Sequence, residues 1–384
     1  VANAVHRVVV LVQENHTVDH YFAGLAPYGA NVTTGWPAYP DPPPSPPYSA
    51  YYPPHDRAAY FDWLTAGKAD HTQVDTAADL PFYLYLALTG AFLENHCAGF
   101  GTNSTPNHLL LVGGQSPTLT NPPHSSRAVW DMPSVLGLAQ DNGVSWRAYT
   151  NAGFPVNHYT QLYRSPNVVD TGEFVNDAAA GTLPALAYVW HPTGADEHPP
   201  SSVSVGMDNV WQDVNAVVQA GGWDETVFML TWDDWGGFDD HVRTPVTEYT
   251  PDNVQLAYGP RVPLLVFGGA VTPGIDSRWC SHASVPKTVI QLLGLPGLGV
   301  PRVDDDPGLA DLVDAARAPS PPPPAYRGAI TLRPPPSPTP APRPLPAPPS
   351  AAPRPVEAVR LRDGTTLAPP NDAPLPRQPS PPRN

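Results

Sequence analysis

RVVVLVQENH (Arg7–His16) carries an unbroken apolar run, Val8–Val12, followed at once by an amide, a carboxylate, a second amide and an imidazole. A strand that is apolar on both faces is covered on both, as parallel strands between helices are. Four further runs read the same way: Val144–Tyr149, Ala185–Trp190, Val227–Trp232 and Val262–Phe267. Between them lie helix-like segments at Leu80–Asn95, Pro106–Val112, Met132–Asn142, Met207–Ala220 and Ser284–Leu293. This alternation predicts an α/β fold, a mostly parallel sheet sandwiched by helices. Ligands bind such sheets at the carboxyl ends of the strands. There the first run delivers Gln13-Glu14-Asn15-His16. The third delivers His191-Pro192 with Glu197-His198 beyond, and the fourth delivers Asp233-Asp234. Carboxylates, an amide and imidazoles are therefore expected on one rim.

The 55 prolines of the 384-residue chain crowd into its end, where APSPPPPAYRG and LRPPPSPTPAPRPLPAPPSAAPRP lead to RQPSPPRN. Such a composition favours extended polyproline conformations over a hydrogen-bonded core. Residues 1–315 are thus read as one catalytic domain and residues 316–384 as a disordered Pro-rich tail, a point of surface association. Residues 26–56, rich in Pro, Tyr and Gly, read as a long ordered loop or lid.

The formal charge is −15, from 35 acidic and 20 basic residues. Lysine is nearly absent. That balance gives no electrostatic footprint for nucleic acid. Few Lys or Arg lie near the polar rim, so a cation is the natural holder of an anionic substrate. No apolar run reaches 18 residues, so no transmembrane segment is expected. The numbering opens at VANAVHR without a signal peptide, and a secreted or cell-envelope location with the leader absent from this chain is the expectation. Cys97 and Cys280 make no disulfide framework. They read equally as one bridge or as two reduced, buried thiols.

Glu14-Asn15 and Asp233-Asp234 supply hard oxygen ligands with imidazoles close by, a set that suits a divalent metal ion such as Zn, Mn, Fe or Ca. Helix capping is the alternative reading for either pair. GFGTNSTPNHLLL (Gly99–Leu111) leads glycines into Ser104-Thr105-Pro106 and an apolar helix. Proline suits a first helical turn, which makes Ser104 or Thr105 the cap and the helix start an anion site. A hydroxyl placed there can attack phosphorus. In WDDWGGFDDHV (Trp232–Val242), Asp239, Asp240 and His241 read equally as supporting or structural groups. Among thirteen histidines, His55, His158 and His198 are the candidates for catalysis or phosphate contact.

These motifs resemble a known group, the bacterial phosphoesterase family of acid phosphatases and nonspecific phospholipases C, within the alkaline-phosphatase/sulfatase superfamily. VVVLVQENHTVDHYFAGL is similar to its first motif and GTNSTPNHLLLVGG to its nucleophile motif. DEHPP (Asp196–Pro200), the Asp-Asp-x-Gly-Gly-Phe-x-Asp-His-Val pattern, GPRVPLLV (Gly259–Val266) and SHASV (Ser281–Val285) follow in the family's order. The resemblance implies an alkaline-phosphatase-like fold, metal ligation by Glu14, Asn15, Ser104, Asp233 and Asp234, and Ser104 as nucleophile. It implies that His198 contacts the phosphate or leaving group, with His55 and His158 matched less closely. His16 and His108 stand where many phospholipase members carry arginine. Serine rather than threonine at 104 resembles the acid-phosphatase branch. The expected function is metal-dependent hydrolysis of a small phosphorylated substrate, a phosphomonoester, through a phosphoserine. A phospholipase C or other phosphodiesterase with the same site is the alternative, and a non-catalytic binding protein is the third reading.

Overall fold

The computed structural model describes residues 5–44, 51–122, 128–249, 255–325, 327–341, 343–347 and 354–367. In chain order the elements are strand β1 (Arg7–Gln13) and helices α1 (Val18–Phe22), α2 (Arg57–Ala66) and α3 (Pro81–Thr89). Strand β2 (Ala91–Cys97), helices α4 (Ser104–Gly113) and α5 (Val135–Asp141), and strands β3 (Trp146–Tyr149) and β4 (Val168–Val169) come next. Helix α6 (Glu173–Ala180), β5 (Leu186–Trp190), α7 (Val203–Gln219) and β6 (Thr226–Trp232) follow. The chain continues through β7 (Val246–Tyr249), β8 (Gln255–Ala257), β9 (Leu264–Phe267), β10 (Gly274–Ser281), α8 (Ser284–Leu293), α9 (Pro301–Asp304) and β11 (Arg354–Pro355).

Eight strands form one sheet in the order β10-β2-β9-β6-β1-β5-β3-β4. β1 lies between β5 and β6, parallel to both. The period of two sorts its side chains to opposite faces. Val8, Val10 and Val12 join the core under α4, α5 and α8, with Leu109, Leu136 and Val289. Val9 and Leu11 join the core under α1, α3, α6 and α7, with Tyr21, Leu84, Phe174 and Val210. Both faces are covered, so both sets of residues had to be apolar.

The structure corrects three sequence expectations. The helix expected over Leu80–Asn95 ends at Thr89, and Ala91–Cys97 is a fully buried strand. Gly90 makes the break: its backbone is extended, and a Cβ there would lie 2.6 Å from the Val266 carbonyl oxygen. The run ending at Phe267 is antiparallel to both β2 and β6 rather than parallel. Among the described residues no helix separates β6 from β9, so the chain returns along the rim without the crossover that a parallel pairing needs. β10 was not anticipated, because an edge strand with half-exposed residues such as Asp276 and Arg278 lacks the apolar signature.

The segment set aside on composition also lies on the body, in its described part. The Tyr28 hydroxyl donates to the Arg333 carbonyl at 2.6 Å, and Trp279 Nε1 donates to the Pro346 carbonyl at 3.1 Å. β11 pairs with β7, Val356 and Val359 are buried, and Arg360 exchanges backbone bonds with the Gln115 side chain. Apart from the short β11–β7 pairing, this extended backbone docks through separate contacts. Val359→Asp, which buries a carboxylate that lacks a partner, is expected to cost about 3 kcal/mol or more. Urea unfolding of the two proteins measures it; an unchanged midpoint would show that this segment contributes nothing to the fold.

Candidate active site

Because β1, β5 and β6 are adjacent, the loops at their carboxyl ends meet. The Glu14 N–H donates to the Asp196 carbonyl at 2.9 Å, and the Asp233 N–H donates to the Gln13 carbonyl at 3.0 Å. Asn15 has φ of +69°, a conformation that Asn tolerates better than most side chains. Gly236 (φ +61°) packs against it so closely that a Cβ would fall 2.2 Å from the Asn15 carbonyl oxygen. Only glycine fits this contact.

Helix α4 brings the serine. Asn103, not Ser104 or Thr105, occupies the cap position, and the helix opens at Ser104. Ser104 Oγ lies 3.3 Å from Glu14 Oε2 and 3.4 Å from Asp234 Oδ2. The anion site expected from free N–H groups at the helix start is smaller than the motif suggested. The Thr105 N–H is taken by Asn121 Oδ1 at 2.7 Å, and Pro106 has none.

Asn15 uses both hydrogens of its amide nitrogen, one 3.2 Å from Asp234 Oδ1 and one 3.1 Å from His55 Nε2. Its own N–H donates to Asp233 Oδ1 at 2.9 Å. What remains is informative: Asn15 Oδ1 and Asp233 Oδ2 are buried without a hydrogen-bond partner. Buried acceptors are almost always satisfied. Three carboxylates in one buried cluster are also mutually destabilising. Burial drives Glu14 up to about 7, and burial together with the Glu14 charge drives Asp233 up to about 7. Burial first and Asp233 second push Asp234 well above the carboxylate range. Two orphaned oxygens aimed into a crowded acidic cluster fit a divalent cation, which would offset both costs.

A cavity of about 560 Å³ opens beside Ser104, with Glu14, Trp190, Phe154, His158 and His198 in its walls. His198 is held by Nδ1 to the Pro199 carbonyl at 2.9 Å, and its N–H donates to Asp196 Oδ1 at 3.1 Å. His158 is fixed by Nδ1 to the Ala128 carbonyl at 2.6 Å. His55 lies behind Asn15 instead, with Nδ1 on the Pro53 carbonyl at 3.0 Å. His16 stacks on Tyr21 and reaches the Glu197 carbonyl at 3.0 Å.

Two residues that the sequence reading named but gave no role in the site are central. His108 is fully buried, and its Nε2 lies 2.9 Å from Glu14 Oε1 and 3.4 Å from Asp233 Oδ2, completing a Glu14–His108–Asp233 cluster. Its signal was its position, one turn beyond Ser104 on the same helix face. Glu197 is fully buried with φ of +67° and accepts from Gln13, Tyr21, Tyr83 and Trp232. It ties the loop that carries His198 to β1, α1, α3 and β6.

The second acidic cluster is structural. Asp19 and Asp240 both pair with the buried Arg261, at 3.3 and 2.8 Å, and His241 Nδ1 reaches Asp19 Oδ2 at 2.6 Å. Asp239 receives Trp63 Nε1 at 2.5 Å. Cys97 and Cys280 are buried free thiols. Among the described residues no helix is long and apolar enough to cross a membrane.

Fold and site together define an α/β protein whose sheet presents a buried carboxylate cluster and a serine hydroxyl at its carboxyl rim. The chain belongs to the Phosphoesterase family, whose model matches residues 5–296. It is similar to non-specific phospholipase C6 of Arabidopsis thaliana, 30% identical over 248 residues, which cover 56% of this chain and 48% of that protein. It is also similar to phospholipase C A of Mycobacterium tuberculosis, 24% identical over 272 residues, 58% of this chain and 52% of that one. The chain spans about half the length of the curated relatives it matches. A solved protein of the alkaline phosphatase superfamily from Vibrio parahaemolyticus is 13% identical, with a TM-score of 0.46 over 80% of this chain and 71% of that one.

Proposed function

We propose that the chain is a metal-dependent hydrolase of phosphomonoesters that works through a phosphoserine on Ser104. The observation that carries this reading is the placement of Ser104 Oγ between Glu14 and Asp234, at the wall of a cavity, beside two orphaned oxygens. Glu14, Asn15, Ser104, Asp233 and Asp234 would hold the cation, with Zn, Mn, Fe and Ca as candidates. When bound, such an ion lowers the pKa of a neighbouring hydroxyl and polarises a phosphoryl oxygen.

The protein's own groups do the rest. Ser104 Oγ faces two carboxylates that can receive its proton as it attacks phosphorus. His198 and His158 line the same cavity, where an imidazole can hold the phosphate or protonate the leaving oxygen. No Lys or Arg lines that cavity among the described residues, so phosphate binding falls to the cation and to neutral donors such as the imidazoles, the Asn151 amide and the Thr193 hydroxyl.

A second reading, cleavage of a phosphodiester in the manner of a phospholipase C, is favoured by the names of the relatives and by the Trp190 and Phe154 walls. The test compares p-nitrophenyl phosphate, bis(p-nitrophenyl) phosphate and phosphatidylcholine on the full chain with each candidate ion. The monoester is expected to give the highest kcat/KM. A preference for phosphatidylcholine would transfer the assignment to the second reading, and no hydrolysis with any ion would reject both.

A further inference from the structure

His108 has the wrong neighbours for a metal ligand. Its Nδ1 receives the indole N–H of Trp190 at 3.2 Å, in a fully buried setting. An indole nitrogen can only donate, so Nδ1 must be the unprotonated nitrogen. In a neutral imidazole the hydrogen then sits on Nε2, the atom that lies 2.9 Å from Glu14 Oε1 and 3.4 Å from Asp233 Oδ2. To ligate a cation through Nε2 the ring would have to move its hydrogen to Nδ1. That would set two N–H groups against each other and orphan a buried indole donor. The alternative, a deprotonated imidazolate, is far less accessible.

From these contacts we infer that Trp190 locks His108 in its Nε2–H form, making His108 a positioning residue for Glu14 rather than a member of the metal shell. Tying Glu14 Oε1 to His108 leaves Oε2, the oxygen 3.3 Å from Ser104 Oγ, as the one turned toward the serine. A second consequence follows for selectivity. The Glu14–His108–Asp233 cluster lies within metal-binding distance and reads, by residue type, as a mixed nitrogen–oxygen shell. With His108 committed as a donor, the nitrogen ligand is withdrawn. Trp190, which touches none of the reacting groups through its ring nitrogen, sets the character of the site from one residue further out.

The inference rests on the metal reading of this site, but its decisive measurement does not. Long-range nitrogen–hydrogen NMR of the full chain carrying ¹⁵N-histidine reports which ring nitrogen is protonated, and His108→Gln assigns the signal. Spectra are taken metal-free, then with Zn²⁺ as the ion most apt to recruit imidazole, then with Ca²⁺. The expected result is an Nε2–H His108 in all three spectra. Trp190→Phe keeps a ring but removes the donor, and is expected to release His108 to the Nδ1–H form and to weaken Ca²⁺ binding by about tenfold. An Nδ1–H His108 in the wild type, metal-free or loaded, overturns the inference. So does a Trp190→Phe protein, folded by circular dichroism, that leaves the tautomer and the Ca²⁺ affinity unchanged. Failure to bind either ion would count against the metal reading alone, because the metal-free spectrum still decides the tautomer.

Discussion

Ser104→Ala is expected to abolish phosphoester turnover while leaving the protein as stable as the wild type. Loss of a nucleophile that acts in concert with its site costs on the order of 10⁴-fold or more in kcat. Nothing in the geometry supplies a substitute, because the neighbouring hydroxyl of Thr105 makes neither of the contacts to Glu14 and Asp234 that Ser104 makes. The fold has little reason to respond. Ser104 is not the capping residue of α4, and its two side-chain contacts are long. Steady-state kinetics on a chromogenic monoester, paired with a thermal melt, separates these effects. Acid quench of the wild type during turnover should trap phosphate on Ser104. Retained activity in the alanine variant would remove Ser104 from the mechanism altogether.

Stripping the divalent cation is expected to be nearly as damaging, and its effect on stability has a definite pH dependence. The electrostatic contribution of a bound metal to a phosphoryl transition state is several kcal/mol, so about 4 kcal/mol, or roughly a thousandfold in turnover, is the scale to look for. The stability effect follows from the acids. Without a cation, Glu14 and Asp233 keep their protons up to about pH 7, because burial opposes ionisation of both and the Glu14 charge adds to it at Asp233. In the unfolded chain they ionise near 4. A group whose folded value is raised contributes stability that is fully present at low pH and is lost as pH rises toward the folded value. The stripped protein should therefore lose stability between about pH 4 and pH 7 through these two residues. A bound ion removes that loss, since it favours the ionised carboxylates. The gap in melting temperature between loaded and stripped protein should widen from pH 5 to pH 8. A gap that is constant or shrinks over that range would mean that the ion is not held by these carboxylates. Asp234→Asn should lower ion affinity and turnover together, since Asp234 lies between Ser104 and Asn15.

Much of this protein was legible from its residues alone. Apolar runs sandwiched between helical segments implied the α/β sheet, because a strand covered on both faces leaves no polar side to its sequence. The Glu14-Asn15 and Asp233-Asp234 pairs could be placed on one rim from the sequence, since both follow apolar strands and open α/β sheets bind ligands at the carboxyl ends of their strands. Ser104 was marked by its position at a helix start. Tertiary structure alone decided the rest. Whether Ala91–Cys97 continued a helix or formed a strand depended on how closely Gly90 approaches Val266, a contact 176 positions away in sequence. The docking of the proline-rich segment depended on donors elsewhere on the body, the Tyr28 hydroxyl and the Trp279 indole N–H. His108 could be read as a ligand or as a donor, and only Trp190, at the end of β5, decides by facing its second nitrogen. Periodicity and local chemistry act over a few residues and are written in order along the chain. Hydrogen-bond direction and close backbone contact are set by partners that only folding brings together.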